Sequence, residues 1–422
     1  MKEISGGVCA PKGFFAAGIR CGIKPSSQKK DLALIYSEKA CAAAAVFTTN
    51  KVKAAPVQIS REHIAGGQLR AIIANSGNAN ACTGQAGIDA ARKMAQLTAE
   101  TLDIKPGEVA VASTGVIGVP LPVDVIEKNI GTLKANLHNG EQGNAAALEA
   151  IMTTDTRKKE IAVEITIDDK PVRIGAIAKG SGMMHPNMAT MLAFITTDAA
   201  IERKTLDKTL RHIVNRSFNR LSIDGDTSTN DMVIIMANGE AGNTLIDEAA
   251  SGYKIFSAAL EQVCIALTRM MARDGEGATK LITVTVSGAQ NEKTAETLAK
   301  SVVSSNLVKA ACFGADANWG RVLCAMGYSG AEFDPGKVNV NFSEGKISHK
   351  GTKAQREEEL SETVLVCKNG ASVPFCEKTA KQILSQEEIE IIIELHDGEG
   401  TASAWGCDLT YDYVKINGDY RS

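Results

Sequence analysis

The sequence lacks most of the marks of a specialised protein class. Its ten cysteines form no C-x-x-C pair, and its six histidines form no H-E-x-x-H or similar spacing. Zinc-ribbon, thioredoxin-like and histidine–metal readings therefore have no spacing to rest on, and no metal is expected. There is no surplus of either charge: Lys+Arg 46 against Asp+Glu 49 leaves a formal −3. A dedicated nucleic-acid binder would carry a basic excess or stripe. No apolar run approaches the ~18 residues that span a bilayer. The longest runs, 41–47 and 389–393, are strand-sized, and residues 1–7 show no apolar signal core. The expectation is a cytoplasmic protein with neither a membrane nor a nucleic-acid partner, its thiols reduced and buried.

Aromatics are also scarce, at 4%, whereas glycine reaches 38 of 422 residues. Small residues in that proportion suit close backbone packing and many tight turns. The length suggests two or three domains and ample chain for a large core. Strand patterns are read at 32–36, 43–48, 70–75, 108–113, 161–167, 172–178 and 191–197. More follow at 232–236, 280–286, 338–342, 363–367 and 388–395. Helical spacing is read at 87–102, 121–137, 206–218, 253–272, 294–304 and 376–384. Hairpin-like neighbours occur beside helical crossovers, which predicts a mixed sheet with layered helices over a doubly wound parallel one. One internal echo exists: Asp274-Gly-Glu-Gly recurs as Asp397-Gly-Glu-Gly. It is either two similar tight turns or two acidic loops beside a common cleft.

Five segments carry chemistry. In 179–194 a Gly-Ser-Gly turn and a proline lead into an apolar strand that opens Ala189-Thr190. Taken alone, Thr190 is a strand threonine packed by its methyl group. A threonine hydroxyl can also attack the preceding carbonyl, and hydrolysis of the resulting ester cuts the chain. Thr190 would then bear a free α-amine with an ordinary pKa of about 8, suited to act as base for its own hydroxyl. Lys179 fits an anionic partner or a solvated surface position. In 112–118, Thr114 and Gly115 follow a strand and precede a proline-started helix. Such a turn is either a plain loop or an aimed pair of N–H groups, an oxyanion hole. In 75–84 the crowded asparagines either satisfy turn backbone or orient a polar ligand. The acidic, hydroxyl-rich 217–231 fails the calcium-loop register and is read as a loop that positions the strand at 232–236. In 273–280, Glu276 breaks any phosphate-loop pattern and suits an ammonium group instead.

Together these segments, with 152–155, 313–321 and 396–412, resemble the ornithine acetyltransferase family of arginine biosynthesis, whose bifunctional members also act as glutamate N-acetyltransferases. The resemblance covers nearly the whole chain, and eight segments in the same order make it specific. It implies an α+β fold, the αββα layered sandwich of self-processing, N-terminal-nucleophile-like aminopeptidases and their relatives. It implies cleavage between Ala189 and Thr190 into an α chain, 1–189, and a β chain, 190–422, that pair as an α2β2 heterotetramer. Thr190 would be the nucleophile, taking acetyl from N2-acetylornithine and passing it to glutamate in ping-pong fashion. Thr114 and Gly115 match oxyanion-hole positions. Lys179, Thr190, Glu276, Asn417 and Ser422 match substrate-binding positions, as does one of Thr153 and Thr154. Ser422 stands where many relatives end in threonine. No cofactor is implied, though acetyl-CoA is expected as a co-substrate for making N-acetylglutamate. The alternatives are a monofunctional ornithine acetyltransferase, or an aminopeptidase or amidohydrolase on the same scaffold. A non-catalytic protein, with Thr190 an ordinary strand residue, is the third reading.

Overall fold

The structure, a computed structural model, describes residues 1–24, 27–184, 191–345 and 362–418. Ala189 and Thr190, and the terminal Ser422, lie outside the described residues. The elements run, in order, β1 (Lys2–Ile4), β2 (Phe14–Ile19), β3 (Leu32–Phe47), α1 (Ala55–Ala65), β4 (Gln68–Asn78), α2 (Gly84–Leu102), β5 (Val109–Val116), α3 (Val123–Ala135) and α4 (Gly140–Ile151). Then come β6 (Lys159–Ile167), β7 (Lys170–Lys179), β8 (Leu192–Thr197), α5 (Arg203–Arg216), β9 (Leu221–Ser222), β10 (Met232–Ala237) and α6 (Gly252–Arg273). The last part comprises β11 (Leu281–Ala289), α7 (Glu292–Ser304), α8 (Asn306–Phe313), α9 (Trp319–Gly327), β12 (Asn339–Glu344), β13 (Thr363–Lys368) and β14 (Ala371–Ser372). It closes with α10 (Glu377–Leu384), β15 (Glu388–Glu394), β16 (Gly400–Cys407) and α11 (Tyr411–Asn417). The chain divides into two compact units: 1–219 with 226–271, and 220–225 with 272–422.

The first unit is built on one mixed sheet in the order β1-β6-β7-β8-β10-β3-β4-β5, with β2 added alongside β3. β8 runs parallel to β10 and β4 parallel to β5, while the other pairs are antiparallel. Its central strands are buried on both faces, which is why they read as continuous apolar runs. Ile72, Ala74, Ala110 and Ala112 pack with Leu148 and Ile151 of α4. Their strand neighbours Ala71, Ile73, Val109 and Val111 pack with Met94 of α2 and Ile126 of α3. Such alternation is the period of two that a pleated strand imposes. The strand patterns read at 32–36 and 43–48 join into a single sixteen-residue β3, whose pairing with β4 shifts register between Tyr36 and Cys41. Glu38, Lys39 and Ala40, at that shift, are exposed, and this short solvent-facing stretch interrupts the apolar pattern of one continuous strand.

The second unit carries the sheet β14-β13-β12-β15-β11-β16-β9. Ile282, Val284 and Val286 of β11 bury against Leu298, Ala299 and Val302 of α7 and, with Ile391 and Ile393 of β15, form that unit's core. The α+β class read from the sequence is what both units show: mixed sheets with helices packed on them. The two Asp-Gly-Glu-Gly turns do not share a cleft. β11 pairs Leu281 with Cys407 at one end and Ala289 with Gly400 at the other. Residues 274–277 lead into the first end and 397–400 into the second, so the antiparallel pairing separates them by the length of the strand.

Among the described residues one helix, α6, with 22 residues, is long and apolar enough by length and composition to cross a membrane. It is the helix read at 253–272, and Lys254, Glu261 and Arg269 interrupt its apolar residues, so no continuous apolar run marks it in the sequence. Its buried residues Phe256, Leu260, Val263, Leu267 and Met271 recur at helical spacing, the stripe of a helix packed on a core.

Candidate active site

In the first unit, the site grows from the end of β5. β4 and β5 run in register through Ser76–Thr114 and Gly77–Gly115, and the register then breaks at Asn78, which faces both Thr114 and Val116. Irregularities of this kind re-aim backbone and side chains at sheet ends. Gly115 sits at φ +133, and a Cβ there would lie 2.3 Å from the Gly77 carbonyl carbon. Only glycine fits that approach.

The asparagines of 75–84 serve this backbone. Asn75 Nδ2 donates to Asn78 O at 2.9 Å, and its Oδ1 accepts from Ser113 Oγ at 2.6 Å. Asn78 Nδ2 donates to Val119 O and Pro120 O, and Asn80 Nδ2 to Gly87 O. Of the two readings open at the sequence level, these bonds carry the structural one.

Lys179, the last residue of β7, is 4% exposed, pairs across the sheet with Leu192, and donates through Nζ to Thr114 Oγ1 at 3.3 Å. Beside it, Thr153 donates its backbone N–H to Asp155 Oδ2 at 3.0 Å, and the Thr154 and Ser181 hydroxyls are 2.8 Å apart. The first unit therefore brings Thr114, Gly115, Thr153, Thr154 and Lys179 into one neighbourhood.

Two residues that had no role in the sequence reading belong to it. Asp155 ends the resembling segment 152–155. Its Oδ1 accepts from Lys159 Nζ at 2.6 Å and from the Gly180 N–H at 2.8 Å, which fixes the turn after Lys179. Burial works to raise its pKa, but Lys179, Lys159 and the Thr153 N–H hold it well below the ordinary carboxylate range. Lys24 donates to Met152 O at 2.9 Å, and its side chain lies so close over Gly77 that a Cβ there would meet Lys24 Cγ at 2.5 Å. Burial brings its ammonium down to about 8, helped by Lys29 and Lys179 and opposed by Asp31 and Asp155. A lone lysine in a Gly-Ile-Lys-Pro stretch offers no sequence signal for either role.

In the second unit, Glu276 and Asn417 meet: Asn417 Nδ2 donates to Glu276 Oε2 at 2.8 Å. The loop that carries Glu276 is tied to α11 at its start, where Thr410 Oγ1 donates to Gly277 O at 2.7 Å. Asp408 holds the loop's other side by accepting the backbone N–H groups of Thr279 and Lys280, both at 2.9 Å. Residues 141 apart in sequence are thus set together by the helix that ends the described chain. Cys312, next to the resembling segment 313–321, is buried and its thiol is pushed up to about 12, so it is a packing residue.

Threonine hydroxyls beside a buried lysine are groups of the kind that stabilise negative charge developing on an oxygen. The model of the ArgJ family matches residues 15–422. The chain is 53% identical over 409 residues to the arginine biosynthesis bifunctional protein ArgJ 1 of Clostridium acetobutylicum, covering 97% of this chain and 96% of that one. It is 50% identical over 422 residues to the arginine biosynthesis bifunctional protein ArgJ of Caldanaerobacter subterraneus subsp. tengcongensis, covering all of both. A crystal structure of arginine biosynthesis bifunctional protein ArgJ from Bacillus halodurans is 43% identical with a TM-score of 0.48, covering 53% of this chain and 97% of that one. The chain belongs to the ArgJ family. This bears out the resemblance to the bifunctional ornithine acetyltransferases drawn from its sequence.

Proposed function

We propose that this chain is an acetyltransferase of arginine biosynthesis that moves acetyl from N2-acetylornithine to glutamate, and that it also makes N-acetylglutamate from acetyl-CoA. The observation that carries this reading is family membership over residues 15–422, with bifunctional relatives matched end to end. The same observation favours it over the monofunctional and the hydrolase readings.

Thr190 is the nucleophile in this proposal. Its hydroxyl attacks the acetyl carbonyl, a proton passes to its own α-amine, and ornithine leaves as the amine. Glutamate's amine then attacks the acetyl-threonine ester, which releases N-acetylglutamate and restores the hydroxyl. Thr114 and Gly115 receive the oxyanion of each tetrahedral intermediate. Lys179 supports that role by already donating to Thr114 Oγ1, and it offers a cation to a substrate carboxylate. Thr153 and Thr154 offer hydroxyls beside it. Glu276 would take the substrate's ammonium, with Asn417 aligning its carboxylate and Ser422 contributing from the tail.

The free amine is made by cleavage between Ala189 and Thr190 into chains 1–189 and 190–422. Sheet order supports their staying together. β8 and β10 of the later piece lie between β7 and β3 of the earlier one, so each piece pairs with the other on both sides. We assign the pair to an α2β2 heterotetramer in the cytoplasm, needing no cofactor.

Denaturing intact-mass measurement of the parent beside Thr190→Ala tests the reading. Two chains from the parent and one from the variant are expected, with acetyl transfer from N2-acetylornithine to glutamate in the parent alone. An uncut parent that transfers acetyl as fast as Thr190→Ala would remove Thr190 from the mechanism.

A further inference from the structure

The buried segment 228–231, just before β10, makes three hydrogen bonds that the mechanism above does not use. Asn230, 5% exposed, donates through Nδ2 to Ser113 O at 2.9 Å and to Ala79 O at 2.6 Å. Asp231, 1% exposed, accepts the Met191 N–H on Oδ1 at 2.7 Å. A carbonyl and the N–H that follows it share one rigid plane. Asn230 thus holds the peptide plane joining Ser113 to Thr114, and Asp231 holds the N–H of Met191, the residue that follows Thr190 in sequence.

Two adjacent side chains therefore grip the end of β5, beside the oxyanion position, and Met191, which leads into β8. The grip itself is well anchored. Asn230 Oδ1 accepts from Thr229 Oγ1 at 2.6 Å, Thr48 N donates to Asp231 O at 3.0 Å, and Thr229 O accepts from the Ala54 N–H at 2.9 Å.

Asp231 also has a feature that packing alone does not explain. Its Oδ2 is fully enclosed and has no hydrogen-bond partner among the described residues. Burial pushes its carboxyl well above the ordinary range, against the Met191 N–H, Lys179 and the Ser228 and Thr48 hydroxyls. The Thr48 hydroxyl donates elsewhere, to Ser228 O at 2.8 Å. An enclosed polar atom without a partner costs stability, and such atoms are kept where function needs them.

We propose that Asn230 and Asp231 form a positioning clamp that sets Met191, the residue after the nucleophile in sequence, against the oxyanion-hole residues at the end of β5. The clamp rests on the assignment of Thr190 as nucleophile. It accounts for an acid next to an amide at the head of a central strand, where two apolar residues would pack at lower cost. It also gives the segment 217–231 the positioning role read from its composition, but directed at the end of β5 and the start of β8 as well as at β10 itself.

The test compares parent, Asp231→Ala, Asp231→Asn and Asn230→Ala in full-length protein. Intact mass follows self-cleavage, and steady-state kinetics separate kcat from KM for N2-acetylornithine. An ångström of misplacement costs on the order of 10²-fold in rate. Asp231→Ala is therefore expected to slow cleavage and to lower kcat by about 10- to 100-fold, with KM within about twofold. Asp231→Asn keeps an acceptor for the Met191 N–H and should recover most of that loss. Asn230→Ala should lower kcat to a similar degree with KM again nearly constant.

The clamp is overturned if Asp231→Ala and Asn230→Ala cleave and turn over within twofold of the parent. It is also overturned if Asp231→Asn is as impaired as Asp231→Ala, or if the losses fall on KM. If Asp231→Ala does not fold, Asp231→Asn and Asn230→Ala carry the comparison. A parent that is never cut, with Thr190→Ala equally active, sinks the nucleophile assignment instead, and the two failures are thereby told apart.

Discussion

Gly77 and Gly115 face each other across β4 and β5 with no room for a side chain between them. A Cβ on Gly115 would lie 2.3 Å from the Gly77 carbonyl carbon and 2.5 Å from the Asn78 nitrogen. The φ of +133 at Gly115 adds a second objection to any other residue. Gly115→Ala is expected to cost about 1–3 kcal/mol through backbone strain alone. It should also push the end of β5 away from β4. Loss of one aligned oxyanion donor lowers rates by ~10²–10³-fold, so kcat should fall far more than the melting temperature does. Calorimetry and steady-state kinetics on the same sample would separate the two effects. A variant that loses stability in proportion to activity would mean that Gly115 is only a packing residue.

Asp155 and Lys159 are wholly buried at the side chain and 2.6 Å apart. Breaking a buried pair by removing one partner leaves an uncompensated charge and costs about 3–5 kcal/mol. Asp155→Ala should therefore be among the most destabilising single changes in the first unit. The pH dependence has a definite sign. Asp155 is held below its ordinary 3.8 in the folded protein, so its contribution is fully present above about pH 4 and is lost as pH falls below that. Denaturant titration at pH 7 and pH 3 should show a smaller gap between parent and variant at the lower pH. A gap that widened on acidification would show that the pair does not hold the carboxylate charged.

How legible this was in the sequence depends on the kind of interaction. Strands such as 161–167 and helices such as 87–102 were readable because burial imposes a period of two or of 3.6 on apolar residues. β16 and α4 were not, since Gly400–Cys407 and Gly140–Ile151 are rich in glycine, alanine and serine, and their period is faint. Thr114, Gly115 and Lys179 could be named from motif resemblance, and the structure places them together. Lys24, Asp155, Asn230 and Asp231 could not be given roles. Lys24 meets Met152, Asp155 meets Gly180, Asn230 meets Ser113 and Asp231 meets Met191, and contacts so distant in sequence leave no local pattern.

Lys24 gives a titration test that runs the other way from Asp155. Burial lowers its pKa from 10.5 to about 8. Between those values the unfolded chain binds more protons than the folded one, so stability rises with pH across that window. The burden of burying the charged form is full below about pH 8 and is relieved towards pH 10.5. Lys24→Met should therefore gain most, relative to the parent, near pH 7 and lose that advantage by pH 10. Two bonds are given up in the variant, to Met152 O and Lys30 O, and this sets a constant offset. The informative quantity is the change in the difference between pH 7 and pH 10, read by urea unfolding. A difference independent of pH would mean that Lys24 titrates like a surface lysine.

Glu276 and Asn417 make a prediction about specificity. Asn417 Nδ2 occupies Glu276 Oε2, which leaves Oε1 for an incoming cation. A carboxylate that is 8% exposed is poorly hydrated, and an ammonium group would supply the charge partner that water does not. Hydrogen bonds to charged groups contribute about 1.5–3 kcal/mol, which corresponds to roughly 10- to 150-fold in affinity. Glu276→Gln should raise KM for N2-acetylornithine by that order while self-cleavage, scored by intact mass, proceeds as in the parent. Asn417→Ala should have a smaller effect in the same direction, because it frees the carboxylate to rotate without removing its charge. Acetylornithine binding that is unchanged in Glu276→Gln would exclude an ammonium from this position and assign Glu276 to holding the loop against α11.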